Sequence, residues 1–315
     1  MSKKTICVLV PTYNEEDNIE YVYERVTQVF KRDLANYNYQ LLFIDNCSTD
    51  RTQELICTLC ERDKNVRAIF NAKNFGYSRS VFYGLQNSGG DATFLVNADL
   101  QDPPELLPRF IEKWEEGYKN VIGVKSRSNE RWLMRSLRKI YYFIIRKMSS
   151  IEQIEQFNGF GLYDASFIST IRDIKDAEPY LKGIISEFAG DLYKIPYEHQ
   201  DRLYGKPANQ KFSIMYDYGM LAITSYSNTL LRMPAFIGIL FSVVALCIAV
   251  VELVAGAMGV DFGLGQNWIA LLVLFALGLQ LFFTGMVGEY VASIRTRTMA
   301  RPLAVEKERV NFPNG

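Results

Sequence analysis

Four short blocks of acids, amides and one glycine recur before residue 106 of this 315-residue chain. They read Pro11-Thr-Tyr-Asn-Glu-Glu-Asp-Asn18, Asp45-Asn-Cys-Ser-Thr-Asp50, Asn71-Ala-Lys-Asn-Phe-Gly76 and Asn97-Ala-Asp-Leu-Gln-Asp-Pro-Pro-Glu105. Grouped carboxylates are ligands for hard divalent cations. The chain has neither G-x-G-x-x-G nor G-x-x-x-x-G-K-[ST], so no glycine-rich loop is available to cradle phosphates. A nucleotide bound here therefore needs a divalent cation to neutralise its diphosphate. The single histidine, His199, excludes a multi-histidine metal site and leaves any Ser-His triad resting on that one residue. Taken singly, Ser48, Asp50 and Asn71 read equally well as helix caps or turn residues.

The elements between these blocks place them together. Ile6–Val10, Leu41–Ile44, Val66–Phe70, Thr93–Val96 and Val121–Val124 have the composition of strands, and Glu16–Phe30, Thr52–Arg62, Ser78–Ser88 and Pro104–Glu116 have helical patterns. Strand and helix alternating at this spacing predict an α/β domain with a parallel sheet covered on both faces. Ligands of such folds bind beyond the carboxyl ends of the strands. Each polar block directly follows a strand, so all four converge on that edge.

With P-x-Y-N-E-E-x-N, a strand ending in Asp45 followed by S-T-D, N-x-G, and A-D-L-Q-D-P-P-E, the chain resembles the family 2 glycosyltransferases of GT-A (Rossmann-like) fold. It is more specifically similar to the polyisoprenyl-phosphate glycosyltransferases, the group of dolichyl-phosphate mannose synthase and the bactoprenol glucosyltransferases. The resemblance implies that Pro11, Tyr13 and Glu15 hold the nucleobase and ribose of a donor, with Asp45 on the base. Asn14, Asn74 and Asn97 complete the donor set. Asp99 and Gln101 would coordinate Mg2+ or Mn2+, and Asp102 lies near the sugar or caps the helix begun by Pro103-Pro104. The family's segment R-x-x-G-x-S-K is matched, without its Ser, around Arg202 and Lys211, which implies phosphate contacts there. Three departures are visible: Asn97 replaces the first acid of a D-x-D pattern, Asn46 stands where a second Asp is common, and Phe157–Asp164 carries Gly159 and Gly161 where relatives have an acidic-aromatic-arginine motif. The processive members' Q-x-x-R-W is absent, so a single sugar per acceptor is expected.

The acceptor side follows from amphipathicity. Arg131, Arg135, Arg138 and Arg146 form one stripe, and Leu133, Leu137, Ile140 and Ile144 form an apolar face. This segment, about 131–148, reads as a helix lying in a membrane interface or as a surface helix packed on the domain. Lys125, Arg127 and Arg131, just beyond the fifth strand, suit the phosphate of an anionic lipid or a solvated surface. Phe212 to Leu231 is a second helical stretch low in charge. Ala235–Ala257 and Trp268–Ala292 are each long and apolar enough to cross a bilayer, and a short Gly-rich connection makes them a hairpin. Arg232, Arg295, Arg297 and Arg301 flank the hairpin while the connection holds only Asp261, which places both termini in the cytoplasm.

Composition sets the remaining bounds. With 35 basic and 35 acidic residues the chain has no bulk charge for nucleic-acid binding. Five cysteines without framework spacing fit a reducing compartment, and Cys57-Thr-Leu-Cys60 reads as buried thiols or a lone redox pair. The expected organisation is a cytoplasmic catalytic domain over 1–210, a juxtamembrane amphipathic helix over 211–232, two membrane helices within 233–294, and a cytoplasmic tail over 295–315. The expected activity is inverting transfer of one sugar, foremost glucose from UDP-glucose, to undecaprenyl phosphate at the inner membrane. GDP-mannose or a modified UDP-sugar as donor, and an inactive membrane scaffold, are the alternatives. Small residues Gly278, Gly285 and Gly288 permit a homo-oligomer through the second span.

Overall fold

The computed structural model describes residues 3–126, 154, 156–202, 212–227, 229–259, 266–299 and 301–312. The expected interface helix at 131–148, together with Arg127, Arg131 and Lys211, lies outside the described residues.

The chain begins with β1 (Thr5–Thr12), α1 (Ile19–Arg32), β2 (Asn38–Asp45), α2 (Thr52–Arg62), β3 (Val66–Asn71), α3 (Tyr77–Asn87) and β4 (Ala92–Leu95). A 3-10 turn at Pro104–Leu106 leads into α4 (Leu107–Glu115), followed by β5 (Asn120–Lys125). Then come β6 (Gly161–Asp164), α5 (Ala165–Asp173), α6 (Leu181–Phe188), β7 (Leu192–Tyr197), α7 (Phe212–Tyr226), α8 (Thr229–Ala257), α9 (Gln266–Thr298) and β8 (Glu306–Val310). The strands form one sheet in the order β7-β5-β6-β4-β1-β2-β3-β8.

The middle of β1, Ile6 to Val10, is fully buried on both faces, as a continuous apolar run in a covered parallel sheet should be. Ile6, Val8 and Val10 join a core with Val22 and Val26 of α1, Ile56 of α2 and Phe110 of α4. Cys7 and Leu9 point the other way, into a core with Phe82 of α3, Ile168 of α5 and Ile185 of α6. Period-two alternation thus assigns each helix to one of two layers. Each such apolar side chain contributes about 1.5–3 kcal/mol on burial.

All five expected strands are present, and β1–β4 pair parallel in the order β3-β2-β1-β4. The sheet as a whole is mixed, because β6 runs antiparallel to both β4 and β5, and β8 antiparallel to β3. The chain moves outward from β1 to β3 and then crosses back to β4, so the order reverses between β1 and β4. That reversal opens a crevice at their carboxyl ends.

Gly161 has its explanation in this sheet. An added Cβ there would lie 2.7 Å from the Val121 carbonyl oxygen and 3.2 Å from the Ile122 Cα. The residue's lack of a side chain is thus a packing requirement of the β5–β6 contact. Asp164, at the other end of β6, pairs with Ala92 at the start of β4, on the edge opposite the polar loops. There it caps α5 through the Ser166 N–H at 2.8 Å and accepts from the Trp114 indole at 2.8 Å.

Helix α7 ends at Tyr226, ahead of the expected boundary at Pro234, which instead sits inside α8. As the sixth residue of α8, Pro234 lies past the first turn, so it lacks one intrahelical N–H and its ring crowds the carbonyl four residues before it. The break at Ser227 is secured from α9, where the Tyr290 hydroxyl donates to the Ser227 carbonyl at 2.6 Å. Helices α8 and α9 expose apolar side chains along their length, among them Phe236, Ile239, Leu240, Leu281 and Phe282. Among the described residues, the stretch Phe275–Thr298 is long and apolar enough to cross a membrane, with a mean hydropathy of 1.3.

Gly161→Ala should destabilise the sheet domain by about 2 kcal/mol or more through overpacking against backbone. A melting curve of the purified variant beside the parent checks this, and an unchanged midpoint would refute the packing account.

Candidate donor and acceptor site

The four polar blocks meet at the carboxyl edge of the sheet, as their positions after strands require. In β1 and β2 the register aligns Pro11 with Ile44 and Thr12 with Asp45, so the first two loops leave the sheet side by side. Asn14 staples them: its backbone N–H donates to Ser48 Oγ at 2.9 Å and its side-chain oxygen accepts from the Thr49 N–H at 2.8 Å. Asp50 takes the structural option, accepting from Thr52 N–H at 3.0 Å at the start of α2 and from Glu16 N–H at 3.2 Å.

Asp45 is fully buried. It accepts from the Ser48 N–H at 3.0 Å, Gln53 Nε2 at 2.6 Å, Thr12 Oγ1 at 3.3 Å and the Ser48 hydroxyl. Its carboxylate is thus engaged by four donors of the chain itself. Asn46 links the second and third loops, donating to Asn74 Oδ1 at 2.8 Å and accepting from the Phe75 N–H at 2.9 Å. A carboxylate at 46 would supply no donor for Asn74. Buried Asn71 donates to Asn46 Oδ1 at 3.3 Å and to Ser80 Oγ at 3.2 Å.

The fourth block forms the floor of the crevice. Asp102 is fully buried and collects donors from three elements: Asn97 Nδ2 at 3.0 Å, Asn158 Nδ2 at 2.7 Å and the Tyr197 hydroxyl. His199 Nε2 stands 3.8 Å away. Burial, reinforced by Asp102, drives the Tyr197 hydroxyl far above the usual phenol range, so it remains a donor. Burial and then the Lys125 ammonium lower the His199 pKa, against the pull of Asp102, Asp99 and Asp201. Asn97 donates to Asp102 and accepts from the Tyr77 hydroxyl at 2.8 Å. An aspartate there would set a second negative charge against Asp102 and lose the donor, which accounts physically for the amide.

Asp99 accepts the Gln101 N–H at 3.2 Å. Burial raises its pKa above the usual carboxylate range, partly offset by that N–H, raised again by Asp102 and lowered by Arg202 and His199. Gln101 is clipped to the segment after β7, its backbone oxygen accepting from Gln200 N–H at 3.0 Å and its amide donating to the Gln200 carbonyl at 3.4 Å.

Arg202 follows two residues later and donates to both Glu15 oxygens, at 2.7 and 2.6 Å. Arg202, expected to contact phosphates, thus pairs in this structure with the Pro11–Asn18 loop. Burial raises the Glu15 pKa, while Asn18 and Arg202 pull it down and Asp99 raises it. Tyr13 is about half exposed at the rim, and Lys125 ends β5 opposite Tyr197. Pro11, Tyr13, Asn14, Glu15, Asp45, Asn74, Asn97, Asp99, Gln101, Asp102, Lys125 and Arg202 thus gather on one edge. Tyr77, Tyr197 and His199 were not singled out as site residues from sequence. Tyr197 ends β7 and His199 lies in the polar run Glu198-His-Gln-Asp-Arg202 just after it, but β7 is not among the five strands expected from sequence, and a lone tyrosine carries no spacing signal.

Among the described residues no group of three or more His, Cys, Asp or Glu side chains forms a metal cage. Burial pushes the Cys60 thiol up to about 12 and raises that of Cys57, the opposite of a reactive pair.

A parallel β/α core that turns mixed beyond β4, with acids and amides at its switch point, is an α/β architecture of the GT-A-like type. The chain belongs to glycosyl transferase family 2, whose model matches residues 7–174, and it is a glycosyltransferase. It is 30% identical over 312 residues to the bactoprenol glucosyl transferase of Shigella phage SfX, covering 96% of this chain and 99% of that one. CsbB of Bacillus subtilis (strain 168), a glycosyltransferase by name, is 29% identical over 317 residues, covering 100% and 94%. Among solved structures, glucosyl-3-phosphoglycerate synthase from Mycobacterium tuberculosis in complex with Mn2+, UDP-Glc and phosphoglyceric acid superposes with a TM-score of 0.50. At 15% identity, over 70% of this chain and 79% of that one, the likeness speaks to the fold.

Arg202→Ala should leave Glu15 half-buried without its main partner. The Glu15 pKa then rises further, so the penalty falls where Glu15 must ionise, above that pKa. The variant should lose about 1–2 kcal/mol at pH 8 and much less at pH 5. Melting at both pH values checks it, and an equal loss at both would break the ion-pair account.

Proposed function

We propose that this enzyme transfers a single sugar from a nucleoside diphosphate sugar, foremost UDP-glucose, to the phosphate of a membrane polyprenol such as undecaprenyl phosphate. The observation that carries this reading is the likeness to a bactoprenol glucosyl transferase along nearly the whole chain, apolar helices included. The alignment runs through both the polar sheet edge and the apolar helices, which supports reading them as one unit.

In this reading Pro11, Tyr13, Asn14, Glu15 and Asn74 hold the nucleotide, with Asp45 bracing the first two loops beneath it. Asp99 and Gln101 would hold Mg2+ or Mn2+. Such cations are commonly held by one or two carboxylates together with substrate phosphates, so a single carboxylate and an amide oxygen suit the role without a protein cage. The cation supplies charge stabilisation to the departing diphosphate. The acceptor phosphate is already anionic at neutral pH and needs no strong base. One of its oxygens attacks the anomeric carbon in line, the bond from that carbon to the diphosphate oxygen breaks, and the nucleoside diphosphate leaves with the electron pair. Displacement from the opposite face inverts the configuration. Lys125, Arg127, Arg131, Arg202 and Lys211 neutralise the phosphates and bring donor and acceptor together. Asp102, Asn158 and Tyr197 keep the floor of the crevice in register.

Helices α8 and α9 form a membrane hairpin, with Arg232 before it and Arg295, Arg297 and Arg301 after it marking the cytoplasmic side. Both termini and the catalytic domain, residues 1–210, then face the cytoplasm at the inner membrane. Helix α7 rests at the interface, where the lipid head reaches the sheet edge.

The test is transfer from labelled UDP- and GDP-sugars into organic-extractable lipid, with undecaprenyl phosphate and Mg2+ or Mn2+. One donor should label the lipid, EDTA should abolish the label, and Asp99→Ala should lower the rate by about 100-fold or more in folded protein. Full activity of Asp99→Ala would remove Asp99 from the chemistry. Binding of UDP without transfer from any donor would overturn the acceptor assignment, and loss of both would favour a scaffold.

A further inference from the structure

The described residues after α9 return to the catalytic sheet. Strand β8 pairs antiparallel with β3 and covers its open edge, and Asn311 Nδ2 donates to the Cys60 and Val66 carbonyls at 2.6 and 2.9 Å. Protection of an edge strand explains that much. It does not explain residues 302–305, which run beyond the regular pairing, past a register shift at Phe70/Asn71, and onto the loop carrying Asn74. The Ala72 N–H donates to the Val305 carbonyl at 2.8 Å. Arg79, in the first turn of α3, donates through Nε to the Leu303 carbonyl at 2.8 Å and through its terminal nitrogen to the Pro302 carbonyl at 2.9 Å. The same guanidinium lies 5.4 Å over the Phe75 ring, and the Tyr83 hydroxyl donates to Glu306 at 2.8 Å. Ala304 is buried between these contacts.

The held loop is wired into the site on its other side. Asn74 accepts from Asn46, Phe75 N–H donates to Asn46, and Tyr77 donates to Asn97. At its origin the returning segment leaves a helix that is itself anchored. Arg297 near the end of α9 donates to Ser225 Oγ at 2.6 Å and pairs with Asp176 at 3.5 Å. Only residues 299–301 separate α9 from the first carbonyl that Arg79 grips.

We infer that residues 302–306 are a strap that positions the Asn71–Gly76 loop for donor binding, with Arg79 as its anchoring positioning residue. The strap ties the geometry of the donor site to the end of α9. The inference rests on the donor reading of that loop given above.

The test uses the full-length protein with three variants: Arg79→Ala, Arg79→Lys and Asn311→Ala. The last loosens β8 at the start of β3, outside the strap and remote from the loop. Affinity for UDP and GDP with Mg2+, the KM for donor and for acceptor, melting midpoint, and hydrogen exchange at the Ala72, Phe75 and Gly76 amides are compared. Arg79→Ala should weaken nucleotide binding and raise the donor KM by roughly tenfold, the scale of lost charge-assisted hydrogen bonds. Its acceptor KM should stay put and loop exchange should rise, with Arg79→Lys recovering part of the effect. Asn311→Ala should lower the melting midpoint without moving donor affinity. Donor affinity that falls in both alanine variants in proportion to melting would reduce the strap to edge protection and overturn the inference, as would unchanged loop exchange in Arg79→Ala. If the parent binds neither UDP nor GDP, it is the donor reading that fails. Loop exchange in Arg79→Ala then decides the anchoring alone, a rise supporting it and no change refuting it.

Discussion

A carboxylate removed from water must be compensated by donors in fixed places, and Asp102 imposes that condition on the centre of this protein. Its compensation comes from Asn97 after β4, Asn158 before β6 and Tyr197 at the end of β7, with His199 close by. Each donor sits on a different element, so the charge holds three strand ends in one register. Losing any donor leaves part of that charge unpaired. Asp45 does the same for the first two loops through Thr12, Ser48 and Gln53. These two acids, the most buried of the constellation, are spent on architecture. Asp99 and Glu15, less enclosed and raised in pKa by burial, keep carboxylates at the surface of the crevice.

Backbone strain is concentrated on the same edge. Asn14, Cys47 and Leu100 have φ of 55°, 64° and 55°, and each stands in a loop directly following β1, β2 or β4. Left-handed conformations in non-glycine residues cost on the order of 1–3 kcal/mol each and persist only where neighbours over-determine them. The neighbours here are the staples Asn14–Thr49 and Ser48–Asp45 and the turn bond from Leu100 N–H to the Asn97 carbonyl. The loops are therefore set in shape before any ligand arrives, which lowers the ordering cost of binding.

The apolar helices are connected to this edge by contacts rather than by sequence alone. Helix α6 packs on α7 through Tyr180 and Tyr226, whose rings are 5.9 Å apart, and Gly183 is small because a Cβ there would strike the Tyr226 ring at 2.2 Å. Helix α9 holds the α7–α8 break through Tyr290 and the domain through Arg297 and β8. The sheet domain and the apolar helices are thus joined at several points.

Much of this was legible in the sequence because local rules carry it. Strand runs such as Ile6–Val10, helix periodicity, and polar residues stationed after strands depend only on residues near one another in the chain. The edge where Pro11–Glu15, Asp45, Asn74 and Asp99 would meet followed from parallel topology. Asn97, Asn46 and Gly161 looked like defects of a motif, yet each fits its surroundings: an amide that must donate to Asp102, an amide that bridges two loops, and a strand too close for a Cβ. What joins the Arg202 guanidinium to Glu15, His199 to Asp102, and residues 302–306 to the Asn71–Gly76 loop is separation of scores to hundreds of residues closed by folding. Residue types and spacing determined the elements and the chemistry available at their ends. Only the tertiary structure decided which buried charge takes which donor, because that depends on where distant strands stop relative to one another and on the desolvation that their packing imposes.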